Sequence, residues 1–156
     1  LRISPDFSLF NQTFKNSHSE WSNHFQSVVQ GPVNYFNEAL KRRIELKGTL
    51  SNLWPKEMKD CSYLTHVVVT PVPSNADFIF YFAPYNNPAS STAAGTKVCQ
   101  FDAEDIPTIA QMRINMARFK VPFNETSNAA AKAIYWEYQI TVLMHEMTHA
   151  FGFDSN

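Results

Sequence analysis

Apolar residues recur at helical spacing over residues 21–40, first on one helix face and then on another. Gly31 and Pro32 stand between the two sets. Because proline fits the first turn of a helix, the pattern predicts one helix that ends near Gly31 and a second that begins at Pro32. The polar stretch of residues 11–23 is expected to be mostly loop.

The clearest helical pattern runs from about Ala129 to Phe151 and contains no proline. Ser127 or Asn128 can cap its beginning. Gly152 suits the position after the last turn, where the backbone often adopts a left-handed conformation. The apolar residues predicted to form one stripe along this helix are Ile134, Tyr138, Val142 or Leu143, Met147 and Phe151.

Short apolar or alternating segments predict β-strands between these helices. The run Phe78–Ala83 is apolar on both faces, which is typical of a central strand. The alternation in Met112–Met116 predicts a strand near an edge of the sheet. The other predicted strands are Leu1–Ile3, closed by Ser4-Pro5, residues 44–50 and Thr96–Asp102.

The amino-acid composition excludes several classes of protein. The 156 residues are 44% hydrophobic and 17% charged, which excludes a disordered chain. A formal charge of −1 gives no overall basic field for binding nucleic acid or an anionic membrane. No apolar run approaches the roughly 18 residues that a membrane span needs. The chain does not begin with Met and stops soon after its most informative motif, so we expect it to be a piece of a longer polypeptide.

That motif, His145-Glu146-Met147-Thr148-His149, has the form H-E-x-x-H and lies in the last predicted helix. Residues four apart share a helix face, so the two imidazoles can bind one zinc ion at about 2.0–2.1 Å. Glu146 is offset by about 100° around the helix and can reach a water activated by the metal. This pattern predicts that Glu146 takes a proton from the water that attacks a peptide carbonyl, then passes it to the leaving amine.

The alternative is that these histidines bind no metal and are ordinary core or surface residues. The independently predicted helix favours the metal site, because the motif requires that context. His18 and His24 are expected to be solvated, and His66 is expected to be structural. Gly152 extends the motif to H-E-x-x-H-x-x-G, the form found in metzincins. The position where metzincins usually place a third zinc histidine is occupied here by Ser155.

With Gly152-Phe153 after it, the motif resembles that of the leishmanolysin family of surface metalloproteases. In that family a long insertion separates the glycine from the third zinc histidine, which is therefore expected outside this chain. The closest stretch is Tyr138–Phe153. Other segments similar to the family are Leu1–Ile3, residues 31–40, residues 44–50, Asp77–Tyr81 and Cys99-Gln100.

The resemblance implies an α+β fold, namely the N-terminal, upper subdomain of a zincin (metzincin). That subdomain has a twisted mixed sheet, a backing helix and a long zinc-binding helix at the end of this chain. Residues 1–156 would form the N-terminal part of the catalytic domain. The remainder, from the same precursor or a separate chain, would add the third ligand. The implied activity is a zinc-dependent endopeptidase acting on polypeptides, secreted or on the extracellular face of the cell.

Two cysteines, Cys61 and Cys99, are compatible with one disulfide or with two free buried thiols. The family resemblance implies that they pair, because the cysteine of its C-Q motif bonds to one near the position of Cys61. Asn11 and Asn124 each begin an Asn-x-Ser/Thr triplet and are candidate glycosylation sites. Together these features favour the secretory route.

Two departures from the family stand out. Members of the family usually carry a further cysteine pair near their N-terminus, and this chain lacks it. The corresponding strand in the family consists of small, apolar residues, and Met112–Met116 differs from it. The difference at Met112–Met116 bears on substrate preference, because the corresponding strand of zincins pairs with the substrate backbone. Two other functions compete with the endopeptidase: a catalytically silent surface, adhesion or structural protein that keeps the fold, and a zinc hydrolase whose third ligand is a glutamate on a later helix. The intact motif argues against the first, and Gly152 argues against the second.

Overall fold

The computed structural model describes residues 1–14, 19–40, 61, 76–102, 104–119 and 129–153. The predicted strand of residues 44–50 and the predicted capping residues Ser127 and Asn128 lie outside the described residues. In chain order the elements are β1 (Ile3–Asp6), α1 (Ser8–Phe14), α2 (Ser19–Ala39), β2 (Phe78–Tyr85), β3 (Ala94–Phe101), β4 (Pro107–Asn115) and α3 (Ala129–Ala150).

The four strands form one mixed sheet in the order β1-β2-β4-β3. β1 and β4 both run parallel to β2, with Ile3 beside Phe78 and Ile79 beside Ile109. β3 runs antiparallel to β4, with Thr96 beside Met112. Helices and a mixed sheet in one chain make the fold α+β, as predicted.

β2 is buried on both faces, which confirms the prediction of a central strand. Phe78, Phe80 and Phe82 point into the core cluster shared with the helices, so these phenylalanines are packing residues. Ile79 and Tyr81, which alternate with them, are also almost fully buried. Side chains alternate across a strand, so both surfaces of β2 must be covered.

Met112–Met116 lies near an edge of the sheet, as predicted, because its strand is the neighbour of the outermost strand, β3. These residues belong to the end of β4 and the turn after it, and β4 lies between β2 and β3. Asn115 is fully buried, although the alternation of apolar and polar residues assigned it to the polar side of the strand. Its side-chain amide donates to the carbonyls of Asn87 and Thr92, so hydrogen bonds replace solvent.

The predicted break at Gly31-Pro32 is wrong, because α2 continues through Pro32 as a single helix. An internal proline costs a helix about 3 kcal/mol. Val28, Val29, Val33 and Phe36 on either side of it are buried in the core. Burial of each such side chain contributes about 1.5–3 kcal/mol, which outweighs the proline.

Residues 11–14 and 19–23 are helical rather than loop, as the ends of α1 and the beginning of α2. α1 follows directly on β1, which continues through Pro5 instead of closing there. Asp6 caps α1 by accepting a hydrogen bond from the Ser8 N–H at 2.9 Å. Phe10 is fully buried and stacks on Phe25 with ring centroids 4.2 Å apart, which anchors this polar segment to the core.

α3 occupies the predicted span, but only part of its predicted stripe faces the core. Leu143 and Met147 are fully buried, whereas Ile134 is 67% exposed and Tyr138 44% exposed. The contact of α3 with the core begins at Gln139, because residues 132–138 are exposed. The spacing of apolar residues sets a helix face but cannot show how far the neighbouring elements extend along it.

Candidate metal centre

The last turn of α3 has a complete capping motif. Gly152 adopts a left-handed conformation with a φ of 84°. Its N–H donates to the carbonyl of His149 at 3.1 Å, and the N–H of Phe153 donates to that of Thr148 at 3.1 Å. This pair of bonds is the Schellman arrangement, which satisfies carbonyls that would otherwise be free at the helix end. Gly152 therefore forms the turn that the sequence predicts, three residues after His149.

Aromatic packing holds this end of α3 against the sheet. The ring of Phe151 lies 5.1 Å from that of Phe36 in α2 and 5.0 Å from that of Phe78 in β2. It also lies 6.0 Å from Phe80, edge to face. Contacts of this kind add to the free energy gained by burying the rings. These contacts therefore fix the helix turn that carries the histidines against α2 and β2.

His145 and His149 point their rings toward each other on one face of α3. Their Nε2 atoms are 3.0 Å apart, and the ring planes are nearly perpendicular at 88°. His145 is exposed and His149 is half-buried. Two nitrogens on the same ion in tetrahedral geometry at 2.0–2.1 Å would lie about 3.3 Å apart. The donor set and its spacing therefore fit a zinc ion with only a small adjustment of the side chains.

Glu146 lies between the histidine face and the core face of α3 and is only 8% exposed. A carboxylate in such a position needs donors or a cation nearby, because burying an unpaired charge is costly. Met147, next to it, is fully buried and serves as a core residue. Glu146 is thus an acidic side chain that is shielded from bulk water and lies beside the histidine face of the helix.

No group of three or more His, Cys, Asp or Glu side chains that could hold a metal ion occurs within the described residues. His18 and His66 lie outside them. His24 lies on α2 and bonds to α3 instead of joining the pair at 145 and 149. The structure thus brings two predicted ligands together, while a third would have to come from outside the described part of the chain.

The structure pairs Cys61 with Cys99 of β3 in a disulfide whose Cα atoms are 5.6 Å apart. Cys61 is fully buried. Of the two candidate glycosylation sites, Asn11 lies on α1, where its side-chain oxygen accepts hydrogen bonds from Ser22 and Gln26. Asn124 lies outside the described residues. Glycosylation of either asparagine stays a prediction.

Sequence reasoning missed one link that supports the helix of the candidate site. His24 of α2 bonds through Nε2 to Oε1 of Gln139 at 2.9 Å, and its ring meets Trp136 edge-on at 5.4 Å. Gln139 is 1% exposed. A histidine in a polar stretch and a glutamine within a helix gave no signal that they would meet, because they are separated by more than a hundred residues.

The chain has an α+β fold and carries H-E-x-x-H-x-x-G-F at the end of α3 and in the turn that follows it, a motif typical of zinc metalloproteases. The sequence profile of the leishmanolysin family matches residues 51–156, about two thirds of the chain. The chain therefore belongs to the leishmanolysin family, which is a family of zinc metalloproteases acting on polypeptides. The resemblance of residues 1–50 to the family stays a prediction, because they lie outside this match.

A search of curated proteins finds no significant match to the chain. Within the described residues, no helix combines the length and the apolar character that crossing a membrane would require. Membership of the family thus rests on the match over residues 51–156.

Proposed function

We propose that this chain forms the N-terminal part of the catalytic centre of a zinc endopeptidase. In this proposal α3 is the zinc-binding helix, with His145 and His149 as ligands and Glu146 as general base. The observation that carries it is the 3.0 Å separation of the Nε2 atoms of His145 and His149, in a chain that belongs to a metalloprotease family. Spacing alone allows two histidines to share a metal, whereas converging nitrogens favour it directly.

Two imidazoles leave a catalytic zinc site incomplete, because such sites use three protein ligands and one position for water. We infer that the third ligand comes from the C-terminal remainder of the same protease, either later in the precursor or as a separate chain. Gly152 supports this inference, since it turns the backbone away from the helix axis just after His149. Polypeptide that follows the turn can return to the exposed side where the imidazoles converge.

Zinc bound here would activate a water molecule, lowering its pKa toward about 7, and would polarise the scissile carbonyl. Glu146 would accept the proton of the attacking water and then protonate the leaving amine. The shielded position of Glu146 suits this role, because a carboxylate away from bulk water exchanges its proton with the reacting groups rather than with solvent. His145 and His149 would hold neutral imidazole rings toward the metal.

The proposed location is outside the cell, either secreted or on the extracellular face. The disulfide between Cys61 and Cys99 supports this, because such bonds persist in oxidising compartments and are rare in the cytosol. The alternative function is a catalytically silent surface, adhesion or structural protein that keeps the protease fold. The two functions differ in a single measurable property, which is hydrolysis that depends on Glu146.

The test compares Glu146→Ala with Glu137→Ala in the protein assembled with its C-terminal remainder. Both glutamates lie on α3, but Glu137 is exposed and lies away from the histidines. Glu146→Ala should lower peptide hydrolysis by at least about a hundredfold, since general-base catalysis contributes 10²–10⁴-fold, while zinc content stays unchanged. Glu137→Ala should leave hydrolysis as it was.

Equal hydrolysis in the two variants would refute the role of Glu146. Absence of hydrolysis in the unaltered assembly would favour the silent protein. The 156-residue chain by itself, dialysed and analysed by mass spectrometry for metals, should hold far less than one zinc per chain. A full equivalent of tightly bound zinc would mean that the ligand set is completed within these residues.

A further inference from the structure

The histidine face of α3 continues toward the start of the helix as an exposed and largely apolar surface. Ile134 and Tyr138 precede His145 by about three and about two helical turns, so they lie on the same side of the helix. Ile134 is 67% exposed and Tyr138 is 44% exposed. The extended histidine face consists of Ile134, Tyr138, Thr141, His145 and His149, and most of the buried residues of α3 lie on the opposite side.

No acidic or basic side chain of α3 lies on this face. The charged residues of the helix are Lys132, Glu137 and Glu146, each offset from His145 by roughly 80–140° around the axis. The Thr141 hydroxyl donates to the carbonyl of Glu137 at 2.8 Å, so it is satisfied within the helix. A helix surface that faces water is normally charged or polar. The histidine face therefore has the composition of a surface that another polypeptide segment covers.

The incomplete ligand set indicates which segment that is. The two Nε2 atoms converge at 3.0 Å and His145 is exposed, so a third ligand has to approach over the histidine face. The chain turns at Gly152, and Phe153 directly after the turn is 59% exposed. Tyr138 lies about 10 Å along the axis from His145, roughly the diameter of one helix. A segment that reaches the histidines therefore also comes within reach of Tyr138.

We propose that the C-terminal remainder of the protease packs on the histidine face of α3, with Ile134 and Tyr138 as its apolar anchors. The identity of this partner rests on the proposed function, in which the remainder supplies the third zinc ligand. Exposed apolar surface of this kind marks a site of protein–protein contact. Docking on the helix that already holds two ligands would fix the position of the third ligand relative to them.

Photo-crosslinking in the protein assembled with its C-terminal remainder tests which segment covers the face. The variant is Tyr138→p-benzoylphenylalanine, and the control is the same replacement at Glu137, which is exposed and about 100° away around the helix. After irradiation, mass spectrometry should find position 138 joined to peptides that follow Asn156, and position 137 largely unjoined. Crosslinks from position 138 to residues 1–156 or to a second copy of the chain, or no crosslinks at all, would overturn the proposal.

Thiol reactivity in the same assembly measures how well the face is covered. Tyr138→Cys and Ile134→Cys should each react with a maleimide at least about tenfold more slowly than Glu137→Cys, because reaction has to wait for local opening of the contact. Mass spectrometry of the α3 peptide gives the three rates. Rates at positions 134 and 138 as fast as at position 137 would contradict docking.

Neither measurement requires hydrolysis, so docking and catalysis can fail separately. Slow reaction at positions 134 and 138 in an assembly whose hydrolysis does not depend on Glu146 would support docking and refute the catalytic role. Hydrolysis that depends on Glu146, together with equal rates at the three positions, would refute docking alone.

Discussion

His24 and Gln139, 115 residues apart in the chain, are joined by a hydrogen bond of 2.9 Å between α2 and α3. The bond lies where α3 first enters the core, and Trp136 covers the imidazole from one turn earlier. Because Gln139 Oε1 can only accept, His24 must donate from Nε2. The link fixes α3 on α2 seven residues before Glu146, on nearly the same helix face.

Replacing His24 with alanine should lower the free energy of unfolding by about 1–3 kcal/mol, because the buried Gln139 oxygen loses this donor. Urea unfolding followed by circular dichroism measures the change. Adding Gln139→Leu should recover part of the loss, since it removes the buried acceptor that His24→Ala deprives of its imidazole donor. Asn23→Ala, at an exposed position on the same helix, is the control and should stay within about 0.5 kcal/mol of the native chain. A His24→Ala variant as stable as this control would contradict the prediction.

Two glycines should respond to alanine with opposite signs. Gly152 has a φ of 84°, where a Cβ is strained, so Gly152→Ala should destabilise the fold by about 1–2 kcal/mol. Gly31 lies inside α2, where alanine should stabilise by about 0.5–1 kcal/mol. An added Cβ has no neighbour within 4 Å at either position, so backbone conformation alone separates the two. Thermal or urea unfolding of both variants checks this, and a shift of the same sign in both would refute it.

Loss of the disulfide should cost about 4 kcal/mol in the chain-entropy model, because Cys61 and Cys99 close a loop of 38 residues. The double variant Cys61→Ser, Cys99→Ser should therefore unfold at a clearly lower urea concentration than the oxidised chain. Adding reductant to the native chain should produce a similar shift, whereas it should leave the double variant unchanged. Reactive free thiols in the unreduced native chain would show that the pair does not form.

Stability should fall with rising pH from about pH 10, on account of Tyr81. Burial, with a smaller contribution from the Asp6 carboxylate, raises the pKa of its hydroxyl well above the usual value. The unfolded chain releases this proton near pH 10, while the folded chain keeps it. Above that pH the unfolded state gains about 1.4 kcal/mol per pH unit from this group, and below it the contribution is constant.

Unfolding measured between pH 8 and pH 11 tests this, with Tyr81→Phe as the variant that removes the ionisable group. The slope above pH 10 should be shallower in Tyr81→Phe than in the native chain. Tyr35→Phe, whose ring is exposed on α2, is the control. Identical slopes in the native chain and Tyr81→Phe would mean that the Tyr81 hydroxyl ionises as easily in the folded state.

Local patterns predicted the elements whose signal lies within a few residues. The run from Phe78 to Ala83 predicted a strand covered on both faces, and the spacing of His145 and His149 predicted that their rings would share a face. Gly152 predicted the left-handed turn. In each case neighbouring residues determine the outcome, because side-chain direction and backbone conformation repeat with the period of the helix or strand.

Contacts between distant residues decided the rest. The sequence by itself determined a long last helix with paired imidazoles and an adjoining acid, since these follow from spacing along one backbone. Only the tertiary structure decided that α2 passes unbroken through Pro32, that β4 lies inside the sheet, and that Ile134 remains in solvent. Those outcomes depend on which surfaces meet, and the free energy of burial, summed over partners far apart in the chain, outweighs local preference.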